Sequence, residues 1–200
     1  MQLFYSPASP FVRKVMACAV ARGLDRQIEP IPTNPHLSPP ALLAANPLSK
    51  VPCLITEDGL GLFDSPVICE YLDGLEGGLP LFPRHGGPRW LALKLQAMGD
   101  GIMDAAVARR GESLRPAEDA RAALMARYKA AVDRTVAALE ADVPHQVVDI
   151  GTIAVGCALG YLDFRFAREP WRPAAPKLAE WFAAFSENPC MARTLPRDPA

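Results

Sequence analysis

The sequence predicts a small α/β domain followed by an all-helical one. Three observations carry this: strand-like and helical segments alternate over residues 1–76, residues 77–89 are rich in Gly and Pro, and strand signals vanish from residue 90 onward. The expected organisation is therefore domain 1–76, linker 77–89 and helical domain 90–200. With 200 residues, half of them apolar, the chain can bury a sizeable core without disulfide or metal staples.

The first strand is expected over Met1 to Tyr5, where Leu3, Phe4 and Tyr5 favour extended backbone before Ser6-Pro7 breaks it. Ser9 then stands at a helix N-cap with Pro10 at the first helical position, where a missing N–H costs nothing. Val15, Met16, Ala19 and Val20 recur at helical spacing, and Gly23 closes the helix. Ser9 is thus expected at the positive end of a helix dipole, beside N–H groups without intrahelical partners, a place that favours an anion. Taken alone, the pair Ser9-Pro10 favours a plain helix cap, and it is the rest of the chain that points to an anion site.

Gln27 to Ile31 reads as a second strand, near an edge because Pro30 cannot donate to a ladder. A Pro-rich loop, 33–40, leads to a short helix over Ala41 to Ala45, ended by Asn46-Pro47. Val51 to Thr56 and Leu62-Phe63 read as a hairpin joined by Glu57-Asp58-Gly59-Leu60-Gly61. Pro52 at the head of that hairpin suits a cis bond after Val51, leaving the Val51 N–H and C=O free to pair with a peptide-like ligand. Asp64-Ser65-Pro66 repeats the logic of Ser9-Pro10: Ser65 is expected to cap a helix whose N-terminus can receive a carboxylate, with Asp64 placed to take an ammonium group.

Beyond the linker, helices are expected over 90–110, 117–141, 150–166 and 175–187. In the second of these, Leu124, Tyr128, Val132, Val136 and Leu139 form one apolar face. The third is apolar nearly all round and should be central. In the fourth, Leu178, Trp181, Phe182 and Phe185 lie at core spacing.

Twenty-one Lys and Arg against 22 Asp and Glu leave no basic footprint for nucleic acid or an anionic membrane surface. No apolar run reaches membrane-spanning length, and the expected location is the cytoplasm. Cys18, Cys53, Cys69, Cys157 and Cys190 are scattered, with no C-x-x-C pair, and read as buried hydrophobes. His36, His85 and His145 share no metal-ligand spacing and are expected at the surface, so no metal site is expected.

Four segments in this order resemble the cytosolic glutathione S-transferase family, of the bacterial, Ser-type kind: Ser9 to Lys14, Asn46 to Pro52, Phe63 to Leu72, and Ile153 to Asp163. The resemblance spans essentially the whole chain. It implies a thioredoxin-like N-terminal domain (βαβαββα), an all-helical C-terminal domain, and glutathione as co-substrate. It places Ser9 against the glutathione sulfur, Val51 and Pro52 on the cysteinyl backbone, and Asp64 and Ser65 on the γ-glutamyl group, with Phe11 and Lys50 lining the site. It further implies a small hydrophobic electrophile against the helical domain, where Met103, Asp104, Val107 and Arg109 are candidate lining residues, and a homodimer. One departure is the central helix: the family pattern has Ser or Thr as cap and Asp three residues on, whereas Asp149 is read as the cap here and Thr152 as its partner.

The implied chemistry is activation of a thiol. A thiol with a pKa of about 8.5 is only a few per cent thiolate at neutral pH, and the thiolate is the nucleophile. A hydroxyl donor at a helix N-terminus makes the anion easier to form. Position 9 has no sulfur for a mixed disulfide, and position 12 is Val, so disulfide exchange is disfavoured. Conjugation, isomerisation of a maleyl-type compound, dehalogenation and peroxide reduction would all use the same thiolate. The alternative is a glutathione-transferase-like binding or interaction module without turnover.

Overall fold

A computed structural model describes residues 1–199. The N-terminal part runs β1 (Gln2–Tyr5), α1 (Pro10–Arg22), β2 (Glu29–Pro32), α2 (Pro40–Ala45), β3 (Cys53–Ile55), β4 (Gly61–Leu62) and α3 (Ser65–Gly74). The strands form one sheet in the order β2-β1-β3-β4, with β2 parallel to β1 and the other pairs antiparallel. This is the βαβαββα order expected of a thioredoxin-like unit. Pro30 and Pro32 sit on an edge strand, where a missing donor costs no ladder bond on the open side. The second strand starts two residues later than its sequence pattern suggests, because Asp25–Gln27 turn in a 3-10 helix first.

The helical part comprises α4 (Gly86–Ser113), α5 (Asp119–Ala141), α6 (Ile150–Arg165), α7 (Pro176–Ser186) and α8 (Pro189–Ala192). Helix α4 begins inside the expected linker, since Gly86, Gly87 and Pro88 fit a first turn that needs no N–H partner from Pro. The connection before it is anchored: the Asp73 carboxylate accepts from the Leu81 and Phe82 amides at 2.6 and 3.1 Å, and the Leu81 carbonyl accepts from the Ile150 amide at 3.0 Å.

Helix α6 is the central element, buried without interruption from Ile150 to Leu162. Its start is closed by a reciprocal capping box: Asp149 Oδ1 accepts from the Thr152 amide, and Thr152 Oγ1 accepts from the Asp149 amide, both at 2.9 Å. The exchanged Asp and Thr therefore do the same capping work. Helices α4 and α6 pack at backbone distance, for a Cβ on Gly99 would lie 2.5 Å from the Ala154 carbonyl carbon. Helix α5 departs from its predicted face. Val132, Val136 and Leu139 are buried, but Leu124 is exposed because only the second half of the helix is covered by neighbours.

All five cysteines are buried and free, and the three histidines are exposed. Among the described residues no helix is long and apolar enough to cross a membrane, and no three His, Cys, Asp or Glu side chains gather as metal ligands.

Candidate active site

The opening strand delivers the chain to Ser9, whose extended backbone (φ −79°, ψ 122°) makes it the N-cap of α1. Its Oγ accepts from the Val12 amide at 3.3 Å, so its own proton is uncommitted. Pro10 has no N–H, and the Phe11 N–H has no acceptor among the described residues. One hydroxyl proton and one backbone N–H are thus left at the positive end of α1. The turn is closed at the far end by Gly23 in the left-handed conformation (φ 72°), which an L side chain adopts at a cost.

A second backbone surface stands at residues 46–52. Asn46 is 1% exposed; its Nδ2 donates to the Lys50 carbonyl at 2.9 Å, and its Oδ1 accepts from the Leu48 amide at 3.0 Å. These bonds shape the loop that carries Lys50 and Val51. The peptide from Val51 to Pro52 is cis, as its position before the hairpin suggests. Neither the Val51 N–H nor its C=O is bonded to another described residue.

The third element is the start of α3, where the cap differs from the expectation. Asp64 is the N-cap, since its backbone is extended and its carbonyl accepts from the Ile68 amide at 3.1 Å. Ser65 is the first helical residue and is 1% exposed, with Pro66 second.

Helix α4 brings a carboxylate to this group. Asp104 is exposed at the surface, yet partial desolvation pushes its carboxyl up and the nearby Asp64 carboxylate adds to that, while the Lys50 and Lys14 ammonium groups oppose it. Asp104, Lys50 and Asp64 are therefore electrostatic neighbours, so this electrophile-site candidate lies near two of the residues expected to hold glutathione.

The other α4 candidates separate. Met103 is fully buried and fills the interhelical core, whereas Val107 is 37% exposed. Arg109 lies nine residues, or two and a half turns, after Asp100 and so on the opposite side of α4. There its guanidinium pairs with Glu169 at 2.7 Å and stacks 4.8 Å over Phe166, lining a separate cavity of about 500 Å³ with Val136, Leu162 and Trp171.

Residues not singled out from the sequence tie the C-terminal segment to the loop before Ser9. The Arg197 amide donates to the Pro7 carbonyl at 3.2 Å, and the next residue, Asp198, pairs with Arg165 at 2.7 Å. This strap ties the loop before Ser9 to the end of α6. Tyr161, one turn earlier on α6, is 5% exposed. Burial raises its phenol pKa, and the Arg165 and Arg110 guanidinium groups beside it oppose that rise. The distinction between Arg109 and Arg110 was not legible in their adjacency; it follows from the rotation of α4 against α6.

Residues 8–75 match the family model of the glutathione S-transferase N-terminal domain. An uncharacterized GST-like protein of Escherichia coli K12, YibF, is 33% identical to this chain over 98% of both. The chain belongs to the glutathione S-transferase family. A crystal structure of a family member from Pseudomonas fluorescens Pf-5 with bound glutathione is 40% identical, with a TM-score of 0.90 over 100% of this chain and 99% of that one. A second structure of a P. fluorescens Pf-5 family member, with bound S-(propanoic acid)-glutathione, has 40% identity and a TM-score of 0.87 over 98% and 100%. In this glutathione S-transferase fold, the three backbone and side-chain elements at Ser9, Val51 and Asp64-Ser65 come from consecutive parts of the matched region.

Proposed function

We propose that this chain is a glutathione transferase that ionises the glutathione thiol at Ser9 and presents the thiolate to a small electrophile. The observation that carries this reading is the uncommitted Ser9 hydroxyl proton beside the free Phe11 N–H at the start of α1. Ser9 acts as a hydrogen-bond donor and keeps its proton; the thiol proton goes to solvent. A charge-assisted hydrogen bond contributes about 1.5–3 kcal/mol and each pKa unit corresponds to about 1.4 kcal/mol, so one such bond with the dipole brings the thiol near neutrality.

Val51 and Pro52 hold the cysteinyl backbone through the free N–H and C=O of Val51. Asp64 takes the γ-glutamyl ammonium group, with Ser65 and the α3 N-terminus toward its carboxylate. Phe11 and Lys50 flank the peptide, and Asp104 adds negative charge near Asp64. The electrophile lies toward Val107 and the C-terminal strap, with residues 1–76 holding glutathione, residues 90–200 the electrophile, and a homodimer as the assembly. The glutathione complex of the 40% identical Pseudomonas protein supports this placement.

A crystal structure with glutathione and an assay with a generic aromatic electrophile test the reading together. The expected result is sulfur within hydrogen-bond distance of Ser9 Oγ and turnover that depends on it. Sulfur far from Ser9 and the Phe11 amide overturns the mechanism, and binding without turnover of any electrophile supports the silent module instead.

A further inference from the structure

We propose that the cavity of about 500 Å³ beside Arg109 is a binding site for an uncharged aromatic molecule carrying one hydrogen-bond acceptor, filled independently of glutathione. Its size falls within the range of about 300–1,000 Å³ usual for small-molecule sites and admits a fused ring system. Val132 and Val136 of α5, Leu162 of α6, Phe166 just after it, and Trp171 make up most of the wall. The Trp171 indole N–H is committed to Asp163 Oδ1 at 2.9 Å, so the ring meets the cavity as apolar surface. None of Ser9, Val51, Asp64 and Ser65 lines this space, and Arg109 is on the side of α4 turned away from Asp100, which pairs with α1.

The charged groups set the charge of the occupant. Arg109 and Lys129 reach the wall against Asp133 and Glu169, and every other lining residue is apolar. These four pair among themselves: Arg109 Nη2 lies 2.7 Å from both Glu169 oxygens, and Lys129 Nζ lies 2.6 Å from Asp133 Oδ2. An ionic ligand would lose its hydration and find no free counter-charge, so a neutral body is preferred. One polar atom stays open. Arg109 Nε is buried and has no hydrogen-bond partner among the described residues. Both groups that hold its guanidinium, the Glu169 carboxylate and the Phe166 ring 4.8 Å away, line the cavity, so the guanidinium is part of the wall. A buried N–H without an acceptor is costly, and a ligand carbonyl supplies the acceptor.

The test is a fluorescence titration with 6-propionyl-2-(dimethylamino)naphthalene, an uncharged naphthyl ketone whose emission moves to the blue in apolar surroundings, beside 2-(dimethylamino)naphthalene, which lacks the ketone. The expected result is saturable, blue-shifted binding of the ketone, about tenfold tighter than the amine and unchanged by saturating S-hexylglutathione. Ala137 lines the cavity and is exposed, so Ala137→Trp obstructs the mouth without disturbing the core and should weaken the ketone about tenfold or more. Arg109→Lys keeps a cation for Glu169 but has no Nε–H, and should bring the two probes to about equal affinity. Absence of saturable binding, displacement of the ketone by S-hexylglutathione, or unaltered binding in Ala137→Trp overturns the site. A ketone preference that survives Arg109→Lys overturns the acceptor requirement.

Discussion

The Lys14 ammonium lies 2.6 Å from Asp100 Oδ1 and 2.9 Å from Oδ2, joining α1 of the sheet-bearing part to α4 of the helical part. Lys14 is wholly buried, and the Asp100 side chain is 19% exposed. Removing one member of such a pair leaves an uncompensated buried charge and costs about 3–5 kcal/mol, while replacing both by apolar groups of similar volume is often neutral. Asp100→Asn should therefore lower the free energy of unfolding in urea by about 3 kcal/mol, and Lys14→Met combined with Asp100→Leu should recover most of it. A single-variant loss below about 1 kcal/mol would show that the pair is dispensable.

Asn46 positions the Val51 loop through two hydrogen bonds in a buried place. Asn46→Ala leaves the Lys50 carbonyl and the Leu48 amide without those partners, at about 1–3 kcal/mol in stability. Because the freed loop carries Val51, KM for glutathione should rise severalfold while kcat falls less. Steady-state kinetics with glutathione varied separates the two.

Much of this arrangement was legible in local chemistry. Ser9 before Pro10, Gly23 after an apolar stripe, Pro30 on an edge strand and the Asp149–Thr152 box each follow from what one backbone position requires. The cap of α3 was read one residue late, because Asp64 and Ser65 are both good caps and only the backbone angles decide between them. What sequence could not supply was rotation and distance. Arg109 and Arg110 are equivalent as letters, and nothing near Arg165 announces a partner 33 residues on at Asp198. The exposed Leu124 likewise shows that an apolar stripe states what a helix can bury, and its neighbours decide how much is covered.

Asp104 makes stability depend on pH in a direction opposite to a salt-bridged carboxylate. Its folded pKa is raised, by partial desolvation and by the neighbouring Asp64 carboxylate, so the folded chain holds this proton more tightly than the unfolded chain. Its contribution to stability is complete below the unfolded value of about 3.9 and is lost as pH rises through the higher folded value. Asp104→Asn should thus be more stable than wild type at neutral pH, with the gap closing in acid. Urea titrations across pH check this, and a gap that widens on acidification would reverse the assignment.

Ser9 caps α1 and, in the proposed function, also donates to the thiolate, and one substitution separates the two. As the cap of α1 it accepts from the Val12 amide, and loss of that bond in Ser9→Ala costs about 1 kcal/mol of stability. As donor to the thiolate it has its effect only on the charged sulfur, so its loss should raise the bound thiol pKa by about one to two units. Turnover at neutral pH should then fall about tenfold to a hundredfold, while KM for glutathione changes little, because the proposed contacts at Val51 and Asp64 are left in place. The pH–rate profile and the ultraviolet absorbance of bound thiolate read the shift directly. Ser9→Thr keeps the hydroxyl and should restore part of the activity. If alanine weakened glutathione binding as much as turnover, Ser9 would be a binding residue and the anion would owe its stability to the amides of α1 alone.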